Sequence, residues 1–140
     1  MAAGEEEGVN PPLDPLRAKN RPFRARLEFA LAGIRTVARR EKSFRAQGVL
    51  ALAATGALVL LRPGVLWTAL VLLSAGFVLA LEAVNGALEY LADRLHPEWA
   101  EEIGHAKDAA AGAVLIASLA AAAVGALMVA SALLPHSPNG

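Results

Sequence analysis

The first ordered alternation of apolar and polar positions opens at Pro22, a residue suited to a first helical turn. Phe23, Leu27, Ala30, Leu31, Ile34, Val37 and Ala38 fall within about 120° of one another at helical pitch. Arg24, Glu28, Arg35, Arg39 and Lys42 take the other side. The spacing predicts a basic amphipathic helix over about residues 22–42, lying in a membrane interface. One position breaks the pattern. Glu41 falls at the centre of the apolar face, in line with Phe23 and Ile34.

Beyond Arg45 the apolar positions become continuous. Residues 46–61, 63–81 and 109–140 hold no Asp, Glu, Lys or Arg, in runs of sixteen, nineteen and thirty-two. A chain of 140 residues has too small an interior to hide so much apolar helix. The runs predict three spans, over about 44–62, 65–95 and 109–134. Pro63-Gly64 makes a tight turn after the first span, and Trp67 is placed for the interface at the start of the second. Pro97 is expected to open a short separate polar segment, Glu98 to His105, with Trp99 as a second interfacial anchor. Pro135, His136 and Pro138 close the third span. The expected fold is all-α: an integral membrane protein with three transmembrane helices per chain and an N-terminal interfacial helix. Residues 1–20, with Glu5-Glu6-Glu7 and Pro11, Pro12 and Pro15, read as a disordered cytosolic tail before a membrane domain over 21–137.

Charge then adds orientation. Thirteen basic and thirteen acidic residues cancel, so the totals carry no bias toward nucleic acid. Ten of the thirteen Lys and Arg precede residue 46, which by the positive-inside rule puts the N-terminus and the loop 95–108 in the cytosol. The absence of cysteine excludes disulfides, a thiolate nucleophile and thiolate metal sites.

The second span turns polar toward its cytosolic end. Glu82, Asn85, Glu89 and Asp93 share an arc of about 80°. A carboxylate at membrane depth costs roughly 3 kcal/mol on insertion scales, so such a stripe needs cations. A divalent metal, Lys107 or an Arg of the amphipathic helix could supply them. All-oxygen donors with no Cys, and with His96, His105 and His136 outside the stripe, suit Mg²⁺. Lys107-Asp108, before the third span, could face a phosphate, although ordinary flanking of a span is the preferred account of these two residues taken alone. No phosphate-binding glycine loop or nucleophile elbow is present in the sequence.

The run Glu82-Ala-Val-Asn85-Gly-Ala-Leu-Glu89-Tyr-Leu-Ala-Asp93, followed by Ala106-Lys107-Asp108 and preceded by Glu41-Lys-Ser-Phe44-Arg45, closely resembles the prokaryotic diacylglycerol kinase and undecaprenol kinase family. The resemblance covers about residues 22–134. It implies a small homotrimeric kinase of the bacterial inner membrane that transfers the γ-phosphate of MgATP to a lipid hydroxyl. Glu82 then resembles the catalytic base, and Glu41 with Glu89 the metal ligands. Asn85, Glu98, Trp99, Lys107 and Asp108 match nucleotide-contacting positions, and Asp93 a supporting one. Arg45 and Gln47, with Glu82, are the expected contacts of the lipid; Gln47 stands where relatives often carry an acid or His. Ala-Ala-Gly-Ala-Val-Leu over 110–115 is more like the undecaprenol branch. The expected partners are ATP, a membrane lipid alcohol (undecaprenol or diacylglycerol) and two further copies of the chain, with no nucleic acid. The alternative is a small oligomeric transporter or channel with a carboxylate-lined cation site. A pore needs polar groups through its full depth, and here they stop at Glu82, with only Thr68 and Ser74 in residues 63–81.

Overall fold

A computed structural model describes residues 22–98 and 100–134. It contains four helices: α1 (Phe23–Arg40), α2 (Lys42–Leu61), α3 (Val65–Leu95) and α4 (Glu101–Leu133), and no strand among the described residues. The expected tail over 1–20 and the closing segment from Pro135 lie outside the described residues, as does Trp99. Two units divide within α1, one ending at Gly33 and the other running from Ile34 onward. The first contributes the start of α1, where Phe23, Leu27 and Leu31 are all exposed, as an interfacial face requires. The second holds the remaining helices.

α2, α3 and α4 are each long and apolar enough to cross a membrane. At 1.5 Å per residue, the 20 residues of α2 match the hydrocarbon thickness, whereas the 31 of α3 and 33 of α4 exceed it. The surplus in both cases is polar sequence, Glu82 onward in α3 and Glu101 to Asp108 in α4. α3 packs most extensively against α4, less against α2, and α2 barely touches α4. At one end Leu58, Val71 and Met128 are buried together, with Trp67 and Val124 packed on them. Trp67 is thus half-buried, one side of its ring packed on the bundle near the start of α3.

Two element boundaries depart from the sequence expectation. The amphipathic helix does not run through Glu41 to residue 42: it ends at Arg40, and Glu41 is extended (φ −93°, ψ 118°) before α2 begins at Lys42. Helical continuation would have left a carboxylate in the middle of an apolar face; the break sends it elsewhere. The expected separate segment Glu98 to His105 does not exist as such, because residues 101–105 are the first turns of α4. Glu101 and Glu102 occupy its first turn, where carboxylates complement the exposed amides and the helix dipole. The boundaries of α3 coincide with the expected 65–95. Arg62 adopts a left-handed conformation (φ 46°) that ends α2, and Gly64 (φ 95°) opens α3 in a conformation only glycine takes without strain.

A carboxylate cluster joining three helices

Four acidic side chains gather around the polar half of α3, each with a partner of its own. Glu82 is 4% exposed, the one buried charged residue among those described. Ser43, in the first turn of α2, donates its hydroxyl to Glu82 Oε2 at 3.2 Å. Two turns further along α3, Glu89 Oε1 accepts from Asn85 Nδ2, four residues before it, at 2.8 Å. That leaves Asn85 Oδ1 buried and without a partner. An amide oxygen in that state is a ready ligand for a cation or a donor.

Glu41 enters from the α1–α2 break. The Tyr90 hydroxyl donates to its Oε1 at 2.7 Å. Its side chain lies over Gly86, where an added Cβ would stand 3.3 Å from Glu41 Cγ, so the close approach depends on the missing side chain. The Arg40 guanidinium sits over the Tyr90 ring, 5.6 Å from its centroid. At the far end of the stripe, Asp93 of α3 and Lys107 of α4 form an exposed ion pair.

The remaining expected site residues are dispersed. Arg45 donates to the carbonyls of Ala38 (3.3 Å) and Arg39 (3.0 Å), satisfying orphan acceptors at the end of α1. Gln47, one turn along α2 from Ser43, donates to Ser118 Oγ of α4 at 3.1 Å. Both line a mainly apolar cavity of about 300 Å³ bounded also by Ser74 and Val78 of α3. Val78 is one turn from Glu82 on the same helix face, so the cavity continues the line of the carboxylates into the apolar bundle. Glu98 is exposed in the α3–α4 loop, its carbonyl accepting from His96 Nδ1 at 3.1 Å, and Asp108 is exposed beside Lys107. The structure thus brings Glu41, Glu82, Asn85, Glu89, Asp93 and Lys107 to one end of the bundle and places Arg45 outside that set.

Three participants went unmarked in the sequence: Ser43, Gly86 and Tyr90. Tyr90 is the chain's one tyrosine and directly follows Glu89, which is the signal that could have marked it.

The donor chemistry fits a hard divalent cation. Glu41, Glu89 and the orphaned Asn85 Oδ1 are oxygen donors of the kind such an ion takes, and among the described residues no three Asp, Glu, His or Cys side chains are grouped to hold an ion by themselves. Mg²⁺ is usually held this way, through one or two carboxylates with substrate phosphates completing the shell.

These features define a helical, multi-pass membrane protein whose polar chemistry is concentrated at one end of its bundle. Comparison with known proteins specifies the class. The profile of the prokaryotic diacylglycerol kinase family matches residues 28–129. Diacylglycerol kinase of Escherichia coli (strain K12) is 33% identical over 93 residues, covering 66% of this chain and 76% of that protein. Those of E. coli O157:H7 and Shigella flexneri match to the same extent. The chain belongs to the prokaryotic diacylglycerol kinase family. It is a membrane-embedded lipid kinase, a phosphotransferase that depends on a nucleotide donor.

Proposed function

We propose that the protein transfers the γ-phosphate of MgATP to the hydroxyl of a membrane lipid alcohol, diacylglycerol first among them, with residues 21–137 as the catalytic unit. The observation that carries this reading is the buried Glu82 carboxylate, facing α2 through Ser43 and standing above an apolar cavity. A lipid hydroxyl needs its proton accepted as its oxygen bonds to phosphorus and the bond to the β-phosphate oxygen breaks, releasing ADP. Ser43 engages Glu82 Oε2, and Oε1 is the atom we assign to that proton. Glu41, Glu89 and Asn85 Oδ1 would hold Mg²⁺, whose chemistry is to neutralise charge on the transferring phosphoryl group. Lys107 and Asp108, with Glu98 and Trp99, are assigned to the nucleotide. The ion pair of Lys107 with Asp93 keeps the ammonium close to the acidic stripe, where phosphates would arrive. Gln47, beside the cavity, is assigned to the lipid, and Arg45 to the entry of its headgroup.

Homotrimeric assembly belongs to the same reading. Gly48 and Gly56 of α2 and Gly112 of α4 have no neighbouring atom within 4 Å of where a Cβ would be, so their small-residue faces are open within one chain. Such faces allow close helix contact between chains. The inner membrane of a bacterium, with the carboxylate end in the cytosol, is the location the basic N-terminal segment supports. Because the chain has no cysteine, a single cysteine at position 100 should label only when reagent reaches the cytosolic side.

The deciding assay offers the purified protein labelled ATP with diacylglycerol or undecaprenol in separate mixed micelles. Phosphorylated diacylglycerol is the expected product. Label in undecaprenol alone would reassign the lipid, and label in neither would remove the kinase reading.

A further inference from the structure

Glu41 stands in an extended stretch between two helices, and its side chain makes no cap hydrogen bond. Local structure therefore does not restrain its side-chain torsions, and α3 supplies the restraint instead. The Tyr90 hydroxyl donates to Glu41 Oε1 at 2.7 Å, a length typical of a bond to an ionised carboxylate. Gly86 sets the depth of approach, since a Cβ there would crowd Glu41 Cγ at 3.3 Å. Arg40, the residue before Glu41, covers the Tyr90 ring at 5.6 Å from the centroid, so the ring itself is held from the α1 side. Among the described residues, the hydrogen bond to this carboxylate occupies Oε1.

We infer that Tyr90 is a positioning residue for Glu41: it presets the carboxylate for a divalent cation and thereby sets the affinity of the site for that ion. The inference rests on the reading of Glu41 as a metal ligand given under Proposed function. A ligand already held from behind loses little freedom when the ion arrives, and hydrogen bonds to metal ligands commonly change metal affinity about ten- to a hundredfold.

Mn²⁺ is the probe, titrated into the full chain in detergent micelles with a non-hydrolysable ATP analogue, with free ion read by its EPR signal. Tyr90→Phe keeps the ring and its contact with Arg40 and removes only the hydroxyl. Mn²⁺ affinity is expected to fall about ten- to a hundredfold, while kcat at saturating Mg²⁺ stays within about threefold of the unmodified protein. A merely structural tyrosine would lower the amount of folded protein and leave the ion's affinity alone. Should Tyr90→Phe not assemble, Tyr90→Met decides on the same readout, because it too removes the hydroxyl that holds Glu41 while keeping a large apolar side chain in its place. Unchanged Mn²⁺ affinity in the deciding variant, with Glu41→Gln weakened, overturns the role of Tyr90 alone. Unchanged affinity in Glu41→Gln removes Glu41 from the metal site, and this inference with it.

Discussion

The two halves of α3 treat their polar side chains in opposite ways. Between Val65 and Leu81, Thr68 and Ser74 each donate to a carbonyl of the preceding turn, Gly64 at 2.9 Å and Val71 at 3.1 Å. Between Glu82 and Leu95 three polar groups pair with other elements, Glu82 with Ser43, Tyr90 with Glu41 and Asp93 with Lys107, while Glu89 takes Asn85 of its own helix. The difference follows from what each group can donate. A hydroxyl carries its own proton and can close on a nearby carbonyl of its own helix. An ionised carboxylate only accepts, and the helix amides around it are already committed to the backbone ladder. It must therefore draw on side-chain donors or cations, here mostly from neighbouring elements, and in doing so it assembles a site. The first half stays chemically silent for the converse reason.

The largest expected effect lies at the junction of the two halves. Glu82→Gln keeps the shape of the side chain and removes its basicity, so lipid phosphorylation should fall by about 10²–10⁴-fold. MgATP binding, measured on the same preparation, should be nearly unchanged. Glu82→Asp should retain a little turnover, its carboxylate sitting about one methylene short of alignment. If Glu82→Gln stays active but loses oligomer stability, the buried carboxylate is a structural group like the hydroxyls below it. Next comes Glu89→Gln, for which a loss of at least about a hundredfold at ordinary Mg²⁺ is expected, in turnover and not in assembly. Full activity in that variant would take Glu89 out of the metal shell.

How legible these halves were in the sequence also differs. The boundaries of α3 could be read because Pro63-Gly64 and Pro97 flank it, and the acidic stripe because its period is strict. The break at Glu41 could not. No Pro or Gly stands near it, and the apolar period runs straight through; the partners that receive its side chain, Gly86 and Tyr90, lie more than forty residues away. Periodicity reports a local preference, and here a tertiary contact overrides it. Ser43 was hidden for a related reason: a serine in the first turn of an apolar helix gives no sign that it meets a buried carboxylate thirty-nine residues on. The start of α4 was displaced because charged residues near Pro97 read as loop, whereas acids in a first turn stabilise a helix that extends beyond the hydrocarbon.

A smaller effect sharpens the comparison through stability. Ser43→Ala removes the hydroxyl that donates to Glu82 Oε2 and leaves a buried acceptor short of a partner. Such a loss costs about 1–3 kcal/mol, readable as a lowered midpoint of denaturant unfolding in micelles. An unchanged midpoint would mean that Glu82 draws its stabilisation from something other than Ser43.

The smallest effects should come from the silent half, and they test the explanation most directly. Thr68→Val is close to isosteric, and the carbonyl of Gly64 keeps its backbone donor, the Thr68 amide at 3.1 Å. Ser74→Ala likewise removes a donor whose acceptor, the Val71 carbonyl, lies inside a continuous helix and retains a ladder position. Neither substitution leaves a buried polar atom orphaned. Each should therefore shift unfolding by no more than about 0.5 kcal/mol and leave turnover unchanged. Ser74 adds a second constraint, because it lines the apolar cavity below Glu82. If the lipid's hydrocarbon chain occupies that cavity, replacing a hydroxyl by a methyl at position 74 leaves the affinity for diacylglycerol equal or slightly tighter. A loss as large as that of Ser43→Ala would show that Ser74 serves a group beyond its own helix, and the division between the two halves of α3 would then be drawn in the wrong place.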